Sequence, residues 1–164
     1  MAIDIVKGSH KGFFPSKVAA ANGNSAHIYN VVLSANHDNG ELIKRNTTWA
    51  AFDQFGESST AVAAADFTGN VLGASQSNPG YWYVQVLTVA NDVVVVYNSP
   101  VSEYGKRDLQ DEKLFYNKTG DVVQGISLMR GDILELSANA FSGTVAANAA
   151  VTYDKTNKVY AIGS

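Results

Sequence analysis

The chain has 164 residues, with 12 basic and 15 acidic side chains, a net charge of −3 and no cysteine. That length suits one domain with its own hydrophobic core. The charge balance gives no general reason to bind DNA, RNA or an anionic membrane, and the lack of cysteine excludes disulfides, thiolate metal sites and a cysteine nucleophile.

Residues 1–26 form a compositional block of their own. A short apolar start at Ile3, Ile5 and Val6 is followed by Gly8, Gly12, Pro15, the run Ala19-Ala20-Ala21 and Asn22-Gly23-Asn24. Small, turn-forming residues at this density bury little apolar surface for the entropy they lose, so an extended N-terminal arm is expected, with 27–164 as a single β-rich domain. Phe13 and Phe14 stand out on that arm, because exposed phenylalanines need a surface to dock on, either a partner's or that of their own domain. The start lacks the basic-then-apolar order of a secretion signal, and no apolar run reaches the length of a membrane span. The chain is therefore expected in a cytoplasm or in a particle assembled there.

From His27 onward, short β-branched and aromatic runs alternate with turn residues, the pattern of strands. HIYNVVL (27–33) is a predicted strand, the turn cluster ANHDNGE (35–41) leads into LIKR, and VAAADF (62–67) is ambiguous, a helical turn being one reading. YWYVQVLTV (81–89) and VVVVY (93–97) are joined by Ala90-Asn91-Asp92, a break suited to a hairpin. On the first of these runs Trp82, Val84 and Val86 share one face, while Tyr81, Tyr83 and Leu87 share the other. The segment VSEYGKRDLQDEK (101–113) is the most charged and reads as a solvated loop or short helix. DILELSA (132–138) is a strand in which Ile133, Glu135 and Ser137 alternate with Leu134 and Leu136. AVTYD and KVYAI bracket a short turn at Lys155-Thr156-Asn157. These signals predict an all-β barrel or sandwich.

The chemistry-bearing residues make no constellation. His10, His27 and His37 are scattered without metal-ligand spacing, and neither a nucleophile elbow nor a phosphate-binding glycine loop occurs. Asp108, Asp111 and Glu112 fall in the charged loop, and HDNGE (37–41) reads as an Asn-Gly turn rather than a calcium loop. Arg130-Gly131-Asp132 matches a receptor-binding tripeptide that arises easily by chance. No catalytic residue, cofactor or metal ligand is assigned, and an enzyme is not expected.

One resemblance covers most of the chain after the arm. The order of NGELIKRNTTW (39–49), FGE (55–57), YWYVQV (81–86), VVVVYNSP (93–100), LFYNKTGDVVQGISLMRGDILELSANAFSG (114–143) and VTYDKTNKVY (151–160) resembles the head decoration, or cement, proteins of tailed bacteriophages. The resemblance implies a compact, β-tulip-like body with an arm that orders on the capsid. It also implies a place on the exterior of a head assembled in the host cytoplasm. The implied partners are the major capsid protein and further copies of the chain as a homo-oligomer, trimers being one state such proteins adopt.

Charged residues make up 16% of the chain, against roughly 25% in an average soluble domain, which weakens self-repulsion and also favours assembly. Phe13, Phe14, Tyr81, Trp82 and Tyr83 are accordingly the expected capsid or subunit contacts. The expectation is that one face of 81–89 and 93–97 lines the core while the other meets a neighbour. Two alternatives stand beside it. One is another virion subunit, from a tail tube or small shell. The other is a carbohydrate-binding β-sandwich using Trp49, Tyr81, Trp82 and Tyr83 as stacking platforms.

Overall fold

The computed structural model describes residues 2–3, 10–13, 27–46, 55–99 and 115–163. Phe14, Trp49 and the charged segment 101–113 lie outside the described residues. The fold is all-β, built on two curled sheets.

The first sheet has five strands: β2 (Ile28–Val32), β3 (Leu42–Lys44), β4 (Phe55–Gly56), β7 (Val93–Tyr97) and β9 (Val122–Ser127), in the order β3-β7-β9-β2-β4. Its two edges meet. The Asn46 amide donates to the Gly56 carbonyl at 2.8 Å and the Ser58 amide to the Lys44 carbonyl at 2.8 Å, with Arg45 opposite Glu57 in an antiparallel bridge. The sheet thus closes into a small barrel filled by Val31, Leu33, Ile43, Val94, Val96 and Val123. Gly125 sits where the filling is tightest, since a Cβ there would lie 2.9 Å from methyls of both Val31 and Val94. The Arg45 guanidinium lies 3.9 Å from the centroid of Tyr29 and 4.9 Å from that of Phe55, a cation–π arrangement that suits a charge leaving an apolar interior.

The second sheet has six strands: β5 (Phe67–Ala74), β6 (Tyr81–Val89), β10 (Ile133–Ser137), β11 (Phe141–Ser142), β12 (Ala150–Asp154) and β13 (Val159–Ile162), in the order β10-β6-β5-β12-β13-β11. Its inner face supplies Leu134, Leu136, Val84, Val86, Val71, Val151, Tyr153 and Tyr160. These form one core with Leu42, Val93, Val95, Ile126 and Leu128 on the outside of the barrel. Two tyrosines tie the layers by hydrogen bonds. The Leu42 amide donates to the Tyr153 hydroxyl at 3.1 Å, and the Tyr160 hydroxyl donates to the Gly40 carbonyl at 2.8 Å. Burial pushes both phenols well above their ordinary pKa, so they remain neutral.

Two expectations are corrected here. β6 and β7 do not form a hairpin: β6 pairs with β5 and β10, whereas β7 pairs with β3 and β9. A turn at Ala90-Asn91-Asp92, held by the Val93 amide on the Ala90 carbonyl at 3.0 Å, carries the chain from one sheet to the other. Nor does a neighbour cover the second face of β7, because all four valines are fully buried within one chain, Val94 and Val96 inside the barrel and Val93 and Val95 between the layers. The barrel closure supplies the second layer that a lone sheet would lack.

The barrel interior yields a direct test. Gly125→Ala should destabilise the fold by about 1–3 kcal/mol through overpacking. Gly56→Ala, where a Cβ meets nothing within 4 Å, should change stability by no more than a few tenths. Urea unfolding of the two variants measures the difference, and equal midpoints would contradict a filled barrel.

Candidate functional site

Two surfaces concentrate the chemistry: a docking groove for the N-terminal segment and the outer face of the six-stranded sheet.

In the groove, residues 10–13 extend the edge of β10. Phe13 bridges Leu136, the Ser137 amide donates to the Gly12 carbonyl at 2.9 Å, and the Gly12 amide donates to Ser137 Oγ at 2.8 Å. Further back, β1 (Ala2–Ile3) pairs with β8 (Phe115–Tyr116). Phe13 is fully buried in the chain's own core, with its ring edge-on to Tyr97 at 6.4 Å. Gly40 makes room for it: at φ +86° its backbone passes so close that a Cβ would lie 3.0 Å from Phe13 Cβ. The ring expected to anchor the chain to a partner is therefore taken up inside this domain, and a cut after residue 26 would remove a core phenylalanine at a cost of about 3–5 kcal/mol.

Beside that pocket lies a chain of charges. His10 Nδ1 meets Asp38 Oδ1 at 2.7 Å, and Lys11 Nζ lies 3.6 Å from Asp38 Oδ2. Lys11 also pairs with Glu41. His37 bonds Glu41 Oε2 through Nδ1 at 2.7 Å and Glu57 Oε1 through Nε2 at 3.0 Å. Glu57 further accepts from the Ser34 amide and hydroxyl at 2.7 and 2.8 Å. Ionised carboxylates only accept, so a ring that bonds one on each nitrogen must donate twice and carry a positive charge. Burial is the largest single influence on the His37 pKa and lowers it, but the hydrogen bonds and charges of Glu41 and Glu57 outweigh it and raise the net value. Burial likewise raises Glu57, yet His37 and Ser34 bring its carboxyl down to about 2.

A cleft of about 230 Å³ opens beside this cluster, lined in part by Ser34, His37, Glu57, Tyr153, Lys155 and Lys158. Several of its polar groups already have partners. Ser34 Oγ donates to Glu57 rather than to His37, and Lys158 Nζ donates to the Asn36 carbonyl at 2.6 Å. That arrangement gives no serine activated by histidine. Among the described residues, no group of His, Asp or Glu side chains is arranged to hold a metal ion, and no helix is long and apolar enough to cross a membrane.

The outer face of the six-stranded sheet is the second surface. The registers place Ile133, Tyr83, Gln85, Asn70, Thr68, Ala150, Thr152, Val159 and Ala161 on it. Bulges add Leu72 at 43% exposure and Leu87 at 41%. No lysine or arginine stands in these ladders. Of their two carboxylates, Glu135 is fully buried and receives Asn78 Nδ2 at 2.9 Å, while Asp154 caps its own turn through Thr156 and Asn157.

The aromatics expected at a contact thus part company. Tyr81 is 7% exposed, its hydroxyl held against the Gly12 backbone. Trp82 packs against the core. Tyr83 is half-buried on the outer face, where Ser75 Oγ bonds its hydroxyl at 3.3 Å. Asp132 of the Arg-Gly-Asp tripeptide is buried and accepts the Met129 amide at 2.7 Å, so its carboxylate is folded back rather than displayed. The cluster around His37 escaped the sequence reading, although the His37/Glu41 spacing in HDNGE was its visible trace. Comparison with protein-family models, curated proteins and solved structures finds no match to this chain.

The cluster makes stability depend on pH at both ends. Because the His37 pKa is raised by folding, its contribution is complete below its ordinary value near 6.5 and fades as pH climbs through the raised one. Glu57 is depressed, so its contribution is complete above its ordinary value near 4.5 and fades as pH falls towards about 2. As far as these two groups decide it, thermal stability should peak between those ordinary values, and His37→Gln should flatten the alkaline limb. An unchanged alkaline limb in that variant would contradict the assignment.

Proposed function

We propose that this chain is a structural virion protein that coats the outside of a tailed-phage head and reinforces it by bridging neighbouring capsomers. Its partners on this reading are the major capsid protein and other copies of itself, with no catalysis, cofactor, nucleic acid or membrane involved. The order of segments that resembles head decoration proteins brings the idea, and the sheet face without a lysine or arginine in its ladders carries it. Fully buried interface cores are depleted in charge and enriched in aromatics, and a six-stranded face without a lysine or arginine in its ladders, fringed by Leu72 and Leu87, fits a permanently covered surface. Many copies, each adding modest binding energy, sum to a large mechanical effect on a closed shell. The carbohydrate reading loses support because Tyr81 is buried and Trp82 faces the core, which leaves Tyr83 as a platform among the described residues, Trp49 lying outside them.

The test is co-sedimentation with expanded heads of the source phage stripped of this chain. Wild-type protein should bind to saturation. A Gln85→Lys/Thr152→Lys double variant, which places two charges on the outer face, should bind at least about tenfold more weakly, since an unpaired charge desolvated at an interface costs more than the 1.4 kcal/mol that a tenfold loss represents. Its melting temperature should not move. Undiminished binding by that variant would remove the sheet face from the proposal, and no binding by the wild type would remove the proposal itself.

A further inference from the structure

Residues 10–13 are held as a peptide is held by a receptor. Each of the four is met by side chains of the body, with Asp38 serving both His10 and Lys11. His10 stacks on Tyr116 with ring centroids 5.2 Å apart and meets Asp38. Lys11 reaches Glu41 and Asp38, while its amide donates to Asp38 Oδ2 at 3.2 Å. Gly12 is read by exclusion, because any Cβ there would overlap the Tyr81 hydroxyl. Phe13 fills a pocket against Leu136, Gly40 and Tyr97. The backbone adds to the edge of β10, which is strand augmentation, a recurrent mode of peptide recognition.

We propose that this groove accepts residues 10–13 from a second copy of the chain, so that copies are joined by exchange of their N-terminal segments. The occupant follows from the specificity. A groove that selects a basic pair, a glycine and a phenylalanine in that order is matched by the chain's own His10-Lys11-Gly12-Phe13. The covalent geometry permits the exchange: the residues between Phe13 and His27, numbers 14–26, could span at most roughly 45 Å fully extended, enough to reach a neighbouring body. The contacts made by an exchanged segment are those of the segment in its own chain, so the folded state loses none of them. The choice between the two then rests on effective concentration, which crowding of copies in an assembly shifts towards the neighbour. The charges facing Lys11 at this junction are Asp38 and Glu41, backed by His37 and Glu57.

Sedimentation equilibrium of the full chain gives the first reading: a concentration-dependent oligomer is expected, and a monomer at every concentration overturns the proposal. The second reading uses the absence of native cysteine. Full-length chains carrying H10C and, separately, D38C are unfolded together, refolded and oxidised, alongside a doubly substituted chain that shows whether the pair can close. Should that control fail to close, K11C with E41C replaces the pair. Exchange predicts that the mixture shifts to twice the chain mass on a non-reducing gel. A mixture that stays monomeric while the doubly substituted chain closes internally would overturn exchange and leave the proposed coating role untouched.

Discussion

The structure depends on one strand having apolar neighbours on both sides. Val94 and Val96 point into the closed barrel while Val93 and Val95 point at the six-stranded sheet. A strand buried on both faces gains from two cores at once, at roughly 25 cal/mol per Å² of apolar surface removed from water, and it also fixes their relation. The register of β7 against β3 and β9 sets which valines fill the barrel, and a one-residue slip would swap the two sets. Glycine at 125 and the Arg45–Glu57 bridge follow from the same geometry, the first because the interior has no room for a Cβ, the second because the sheet must meet itself to close.

The N-terminal segment is built onto this frame. The turn at 37–41, which leads into β3, supplies His37, Asp38, Gly40 and Glu41, and each takes part in holding residues 10–13 or the charges behind them. The nearly buried Glu41 has a donor on each oxygen, Lys11 on one and His37 on the other. The same cluster joins β3 to Glu57 just past β4, across the seam where the barrel closes. Seam, turn and N-terminal segment are therefore energetically coupled, because each supplies a charge that the others require.

Much of the strand content was legible because β-branched runs and turn residues alternate plainly, and the alternation of Ile133, Glu135 and Ser137 with Leu134 and Leu136 sorted the two faces of β10 correctly. The run of valines announced a strand apolar on both sides. What covered its second face could not be read, because closure rests on backbone bonds between residues 44–46 and 56–58, which leave no residue-type signature. The turn after β6 reads the same whether the chain doubles back or crosses between layers. Gly12 looked like part of a loose arm, yet it is glycine because Tyr81, far along the sequence, occupies the space. HDNGE does form the expected turn, with Gly40 at positive φ, but its histidine and glutamate acquire their role only from Lys11 and Glu57, which no local pattern connects to them.

On the proposed coating role, the outer sheet face without a lysine or arginine and the groove for residues 10–13 are the surfaces through which copies would be joined. The proposed coating role is tested most directly by quantitative mass spectrometry of purified virions, counting this chain against the major capsid protein. The account predicts a ratio near one or a simple fraction of it, as a lattice-wide coat requires. A few copies per particle, or none, would contradict it.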